Sequence, residues 1–211
     1  MKIIEAGFMI ESPVDGEEIL RGIEKAGRTA YKSEDRITPD SAARFVSMIL
    51  KKGHESVLEH RSVTVRVICD RGVSHEIVRH RLASYTQEST RYCNYSQDKF
   101  KNEIIVIKPV FWDEEKDAEK FAVWKKGVKD AEKAYLKLLE LGAAPEEARS
   151  VLPNSLKTEI VMTMNLREWR NFFRLRTGER AHPQMREIAR PMLQEFKKRI
   201  PLIFDDIVQE R

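Results

Sequence analysis

Apolar positions along this chain switch between a period of two and a period near 3.6, and the switches mark its elements. Ser62 to Asp70, SVTVRVICD, alternates Val63, Val65 and Val67 with Thr64 and Arg66, which predicts a half-buried strand. Leu156 to Met164 alternates in the same way, Lys2 to Ile10 reads as a first strand, and Ile104 to Ile107 is a short strand closed by Pro109. Asp15 to Gly27 and Pro39 to Lys52 carry the helical period; Pro39 stands near the first turn of the second helix and Gly53 just past its end. Arg71-Gly72 predicts a turn into a helix running from about Val73 to Ser84. Its apolar stripe is Val73, Ile77, Val78 and Leu82, and its polar stripe is His75, Glu76, Arg79 and His80. Glu114–Leu141 predicts a long charged helix and Pro145–Leu152 a short one. Leu166 to about Thr177 and Pro183 to Ile200 complete the helices, the second interrupted by Pro191. Leu166, Trp169, Phe172, Phe173 and Leu175 form the core side of the first of these, and Arg170 and Arg180 are placed in solvent.

Strands and helices are thus interspersed without a regular βαβ repeat, an internal repeat or a Gly-rich phosphate loop. This predicts an α/β chain of the α+β type, and 211 residues fit one domain over 1–211. Apolar residues make up 41% of the chain, enough for a substantial core. Lys and Arg number 38 against 34 Asp and Glu, a net +4 that suits an anionic small molecule as well as nucleic acid. Cys69 and Cys93 read as reduced thiols, since a disulfide framework needs more cysteines. MKIIEAGFMIES lacks the features of a signal peptide, and no apolar run approaches the ~20 residues that span a bilayer. A soluble cytoplasmic protein is expected.

The chemistry concentrates between Arg79 and Tyr92, RHRLASYTQESTRY. Three arginines stand there among Ser84, Thr86, Ser89, Thr90 and the pair Gln87-Glu88. Arginine's planar fork suits phosphate and carboxylate, and amides and hydroxyls suit base and sugar edges, so the mix points to a nucleotide pocket. A solvated face or an RNA-binding patch is the alternative, although such patches spread Lys and Arg with exposed aromatics. His54-Glu55-Ser56-Val57-Leu58-Glu59-His60 superficially suggests a zinc site, but its histidines are six apart where HExxH needs four, so no metal is expected. Asn165 before Leu166-Arg167 suits a helix N-cap. Neither Ser84 nor Ser89 sits in a GxSxG elbow, and Cys93 has no His beside it, so neither a triad nor a nucleophilic thiol is expected.

Arg79-His80-Arg81 followed by Ser89 matches RHR-x7-S, the signature of the flavin-dependent thymidylate synthases, the ThyX family. GHESVLEH upstream and ARSVLP, TMNLREWRNFFRLR and AHPQMREIA downstream resemble further blocks of that family, in its order and spacing. The resemblance implies the family's fold, a mixed or antiparallel sheet surrounded by helices. It implies reductive methylation of dUMP to dTMP, with methylenetetrahydrofolate as methylene donor and FAD, reduced by NADPH, as hydride source. It also implies a homotetramer that uses neither nucleic acid nor membrane.

By motif position, His54, Ser56, Glu59, Arg79, His80, Arg81, Leu82, Asn165, Arg167 and Asn171 match flavin contacts. Glu76, Arg79, Gln87, Glu88, Ser89, Arg91, Arg149 and Arg176 match dUMP contacts, with Arg91 and Arg149 on phosphate and Arg176 against the uracil ring. Arg176, His80 and Ser89 match the catalytic positions, and His182 falls in the block that closes the site. Many members read SxNExS where this chain has Ser84-Tyr85-Thr86-Gln87-Glu88-Ser89, which leaves open whether Gln87 or Glu88 faces the nucleotide.

Overall fold

The computed structural model describes residues 1–97 and 101–208; residues 98–100 and 209–211 of the expected 1–211 domain lie outside them. In chain order the elements are β1 (Lys2–Ile4), β2 (Gly7–Ile10), α1 (Gly16–Arg28), α2 (Ser41–Lys51), β3 (Ser62–Asp70), α3 (Arg71–Ile77) and β4 (Ala83–Gln87). They continue with β5 (Ile105–Ile107), α4 (Ala118–Glu140), α5 (Pro145–Ala148), β6 (Lys157–Asn165), α6 (Leu166–Arg176), α7 (Pro183–Arg199) and α8 (Pro201–Phe204). β1 and β5 pair in parallel, and a second sheet has the order β2-β3-β6-β4. This is the expected α+β class.

The chain groups into two compact units. The first contains Met1–Gly7, Val67–Arg79 and Thr86–Ile160; the second contains Phe8–Arg66, His80–Tyr85 and the chain from Val161 onward. The first unit is built on the β1–β5 pair and α4. Tyr95, Ile104, Val106, Val128, Tyr135, Ala148 and Leu156 are buried together there, with Trp124 and Cys93 packed against them. The second unit is built on α6 and α7. Trp169, Phe172, Phe173, Phe196 and Phe204 meet ring against ring at centroid distances of 4.9 to 5.8 Å. Trp169 adds a hydrogen bond from its indole Nε1–H to the Val63 carbonyl, 3.1 Å, so its polar edge is satisfied while the ring is fully buried.

Local sequence explains most boundaries. Side chains of Asp15, Asp70 and Asn165 accept from the backbone N–H of Glu18, Val73 and Glu168, capping α1, α3 and α6. Gly53, at φ 69°, takes the left-handed position that closes α2 and suits a residue without Cβ. β3 and β6 bury alternate residues as their patterns predict: Val63, Val65, Val67 and Cys69 on one, Thr158, Ile160, Met162 and Met164 on the other.

Several expectations are corrected. The strand expected over Lys2–Ile10 is two strands in different sheets. The helix expected over Val73–Ser84 begins earlier, at Arg71, and stops at Ile77. Val73 and Ile77 are buried, but Val78 and Leu82 are exposed, and Ala83–Gln87 forms β4 in the sheet beside β6. The apolar spacing mimicked a helix; Ser84, Tyr85 and Thr86, with side chains suited to a pleated sheet, go to the sheet instead. Pro191 does not interrupt α7. It lies on the exposed face while Ile188, Ala189, Met192, Leu193 and Phe196 are buried on the other, and that packing outweighs one lost backbone bond. Leu175 is exposed rather than core.

Arg170 is likewise not in solvent; only 2% of it is accessible. Its guanidinium grips Asp206 with both terminal nitrogens (2.7 and 2.6 Å), donates to the Ile203 carbonyl, and lies 3.2 Å from Glu55. A bidentate fork of this kind holds the segment after α8 onto α6. Arg170→Ala is expected to lower unfolding stability by about 2–3 kcal/mol, since it removes a buried side chain, strands the buried Ile203 carbonyl and releases Asp206 and Glu55 from their common partner. Chemical denaturation of the two proteins checks this, and an unchanged midpoint would refute it.

Candidate active site

In the second unit, β6 delivers the chain into α6 through Asn165, whose side-chain oxygen receives the Glu168 N–H at 2.9 Å. That cap fixes the first turn and points Glu168 inward, 7% exposed. A buried carboxylate needs partners. His80 Nδ1 lies 2.9 Å from Glu168 Oε1, and the Asn171 amide donates to the same carboxylate at 3.2 Å. On its other side the imidazole Nε2 accepts from Arg176 Nε at 3.0 Å. His80 is 4% exposed, its ring edge-on to Phe172 at 5.0 Å, and its carbonyl accepts from the Tyr85 hydroxyl at 2.7 Å. The result is a line of three groups, Glu168–His80–Arg176.

The line fixes a tautomer. An ionised Glu168 only accepts, so Nδ1 carries the proton; Arg176 only donates, so Nε2 presents its lone pair. Burial lowers the His80 pKa below its ordinary value and the Arg176 charge lowers it further, against the raising effect of Glu168.

The other flavin-assigned positions are distributed as follows. His54 precedes a 3₁₀ turn over Glu55–His60, and His54, Ser56 and Glu59 are all exposed. Arg167, on α6, meets Glu59 at 2.6 Å. Arg81 and Leu82 are exposed in the turn before β4. Asn165 and Asn171 are brought to Glu168, and His182 caps the start of α7.

The first unit holds the nucleotide-assigned positions apart from Arg176. Gln87 donates to Ser74 Oγ (2.9 Å) and Thr158 Oγ1 (3.2 Å), which ties β4 to α3 and β6. Glu88 receives Lys157 Nζ (3.0 Å) and the Tyr95 hydroxyl (3.1 Å). Ser89 Oγ accepts the Arg91 N–H at 3.3 Å. Arg149 donates to Thr90 Oγ1 (3.2 Å) and to the Glu146 carbonyl (3.2 Å), while Arg91 meets the Glu146 carboxylate at 3.0 Å. Both arginines therefore converge on the first turn of α5, ordered by Pro145 and by a hydrogen bond from the Ala144 N–H to Glu147. Glu76 and Arg79 lie at and just past the end of α3, Arg79 exposed.

Residue-by-residue reading missed Glu168, Lys157, Ser74, Thr158 and Glu146. Only Glu168 carried a signal: an acid three residues after an Asn cap, which reads as a solvated capping residue. Among the described residues no group of three or more His, Cys, Asp or Glu is placed to hold a metal ion. Cys69 is fully buried, and burial pushes its thiol pKa up, which disfavours a thiolate.

A family model described as thymidylate synthase complementing protein matches residues 15–202. The flavin-dependent thymidylate synthase of Pyrococcus furiosus is 38% identical over 174 residues, covering 82% of this chain and 70% of that protein. The Geobacter sulfurreducens flavin-dependent thymidylate synthase is 37% identical over 188 residues, 86% of this chain and 78% of that one. Among solved structures, the UMP/dUMP methylase PolB of Streptomyces cacaoi, bound with 5-Br dUMP, superposes with a TM-score of 0.79 at 22% identity, covering 97% of this chain and 96% of that one. The fold is therefore shared with that enzyme.

A depressed His80 pKa has a consequence for stability. The unfolded chain takes up a proton near the ordinary value of ~6.5 while the folded one resists it, so the contribution is complete above that value and lost as pH falls through the lower folded pKa. NMR titration of the His80 ring is expected to give a midpoint below the ordinary imidazole value of ~6.5, and His80→Asn should flatten the loss of stability on acidification. A midpoint at or above that ordinary value would contradict the buried, neutral imidazole.

Proposed function

Since the chain belongs to the flavin-dependent thymidylate synthase family, we propose that it methylates dUMP to dTMP, with FAD as its flavin, methylenetetrahydrofolate as methylene donor and NADPH as reductant. The observation that carries this reading is the ordered line Glu168–His80–Arg176, because it presents a guanidinium on a fixed mount at the position matched to the uracil contact. Polarising the ring requires fixed positive charge held in place before the reaction, and preorganisation supplies it. Arg91 and Arg149, converging on α5, are the phosphate ligands, with Ser89 and Thr90 beside them. Gln87 and Glu88 are held by hydrogen bonds within the chain, so both act by shaping the pocket wall as well as by any direct contact.

The second unit's exposed donors fit an anionic, hydroxyl-rich flavin nucleotide. Arg167 and Arg81 supply guanidinium groups, and His54, Ser56 and Glu59 supply hydrogen-bonding groups on one turn. When bound, the flavin supplies the redox chemistry. Both ring nitrogens of His80 are engaged within the chain, so this residue would meet flavin through its ring edge or backbone. We take the whole chain as one catalytic domain, acting as a cytoplasmic homotetramer on small molecules.

The purified protein is expected to be yellow and to bind about one FAD per chain; absorbance and calorimetry that detect no flavin would overturn the cofactor assignment. Arg176→Ala is expected to weaken dUMP binding by roughly 1.5–3 kcal/mol, the range for a hydrogen bond to a charged group, with FAD retained. Titration showing unchanged dUMP affinity, or loss of FAD instead, would reassign the residue.

A further inference from the structure

We propose that Glu168 is a positioning residue for the nucleotide step, acting through His80 to aim Arg176. The inference rests on the reading that Arg176 meets the uracil ring.

Three observations in the second unit carry it. Glu168 is buried, yet among the described residues its carboxylate pairs with no Lys or Arg: its short contact is from Oε1 to His80 Nδ1, the Asn171 amide reaches both carboxylate oxygens at 3.2 and 3.4 Å, and the Asn165 cap holds its backbone N–H. Stability alone does not call for a buried carboxylate here, since ionic groups can be replaced by apolar ones of similar size at little loss. His80 passes the arrangement on. With Nδ1–H donated to Glu168, the lone pair on Nε2 is the acceptor that Arg176 Nε needs, and the opposite tautomer would set Nε2–H against the guanidinium N–H. Finally, Arg176 comes last in α6, where a long side chain has many rotamers. Fixing Nε to a buried ring removes much of that freedom and restricts the direction in which the planar fork can turn.

The arrangement predicts a tautomer, a pattern of coupling and a rescue. Nitrogen-15 shifts of the His80 ring in the intact protein should report Nδ1 protonated and Nε2 bare; the reverse would overturn the proposal without any variant. Turnover of dUMP, followed by tritium release with methylenetetrahydrofolate, FAD and NADPH, is then compared for Glu168→Ala, Glu168→Gln, Arg176→Ala and the Glu168→Ala/Arg176→Ala pair. Glu168→Ala should lower kcat/KM for dUMP at least tenfold, with FAD affinity within threefold of the parent. Glu168→Gln, whose amide oxygen still accepts Nδ1–H, should recover most of that loss. In the Arg176→Ala background the further loss from Glu168→Ala should shrink to less than twofold, because the residue it aims is gone.

Losses that multiply in the double variant would overturn the proposal and leave a general packing role for Glu168. FAD lost in step with turnover would overturn it in favour of a flavin role. If Arg176→Ala alone changes neither dUMP affinity nor turnover, the nucleotide reading of Arg176 fails and the proposal falls with it; if Arg176→Ala is crippling but the losses multiply, only the coupling through His80 fails. Should Glu168→Ala not fold, the ring shifts and the Glu168→Gln rates decide: an Nε2-protonated ring, or Gln rates as low as those of Arg176→Ala, sinks the idea.

Discussion

Burying charge on a helix that must also build a core is the constraint on which the second unit depends. α6 buries Leu166, Trp169, Phe172 and Phe173, and on the same eleven residues it buries Glu168 and Arg170. Each ion would be very costly if left alone. Each is answered from outside the helix: Arg170 by Asp206 and Glu55, Glu168 by His80. The answers come from distant parts of the sequence, so the aromatic packing and the ion partners must be satisfied together. A shift of α6 by one residue would break both. That coupling is how a hydrophobic core can hold a polar site to within a fraction of an ångström.

Much of this was legible from sequence, and what was not has identifiable causes. β3 and β6 were readable because one face is buried and the other is not, so their patterns are strict. The stretch from Val78 to Leu82 was not, because exposed Val78 and Leu82 completed a false helical stripe. Nothing local says that Ser84-Tyr85-Thr86 has a place in the sheet beside β6; that is a tertiary fact. Arg170 was misplaced because one arginine among Arg167, Arg170, Arg174 and Arg176 carries no mark of burial. The site showed a similar division. Cationic and amide residues of the signature were legible as a set, whereas the residues that hold them, Glu168, Lys157 and Glu146, are ordinary charged residues whose roles exist only in three dimensions.

The holding residues are not equivalent, and magnitudes separate them. Arg91 and Glu146 are each about half exposed, at 53% and 51%, and such a pair contributes ~0–1 kcal/mol. Should Arg91 be the phosphate ligand proposed above, exchanging Glu146 for phosphate would cost little. Glu88 and Lys157 are more enclosed, at 15% and 14%, and Tyr95 adds a further donor to Glu88, so that pair is held more firmly within the chain. Glu168 and His80 are at the far end of the series, 8% and 3% exposed at the side chain. Exchange there would leave a buried carboxylate without its partner, a loss of ~1–3 kcal/mol or more. The exposed pairs are thus suited to give way to ligand and the buried one to stay. Arg176 stands between the two kinds, with its Nε on the permanent mount and its fork beyond it. On the proposed reading, in which that fork meets the uracil ring, the buried pair sets its direction before ligand is bound.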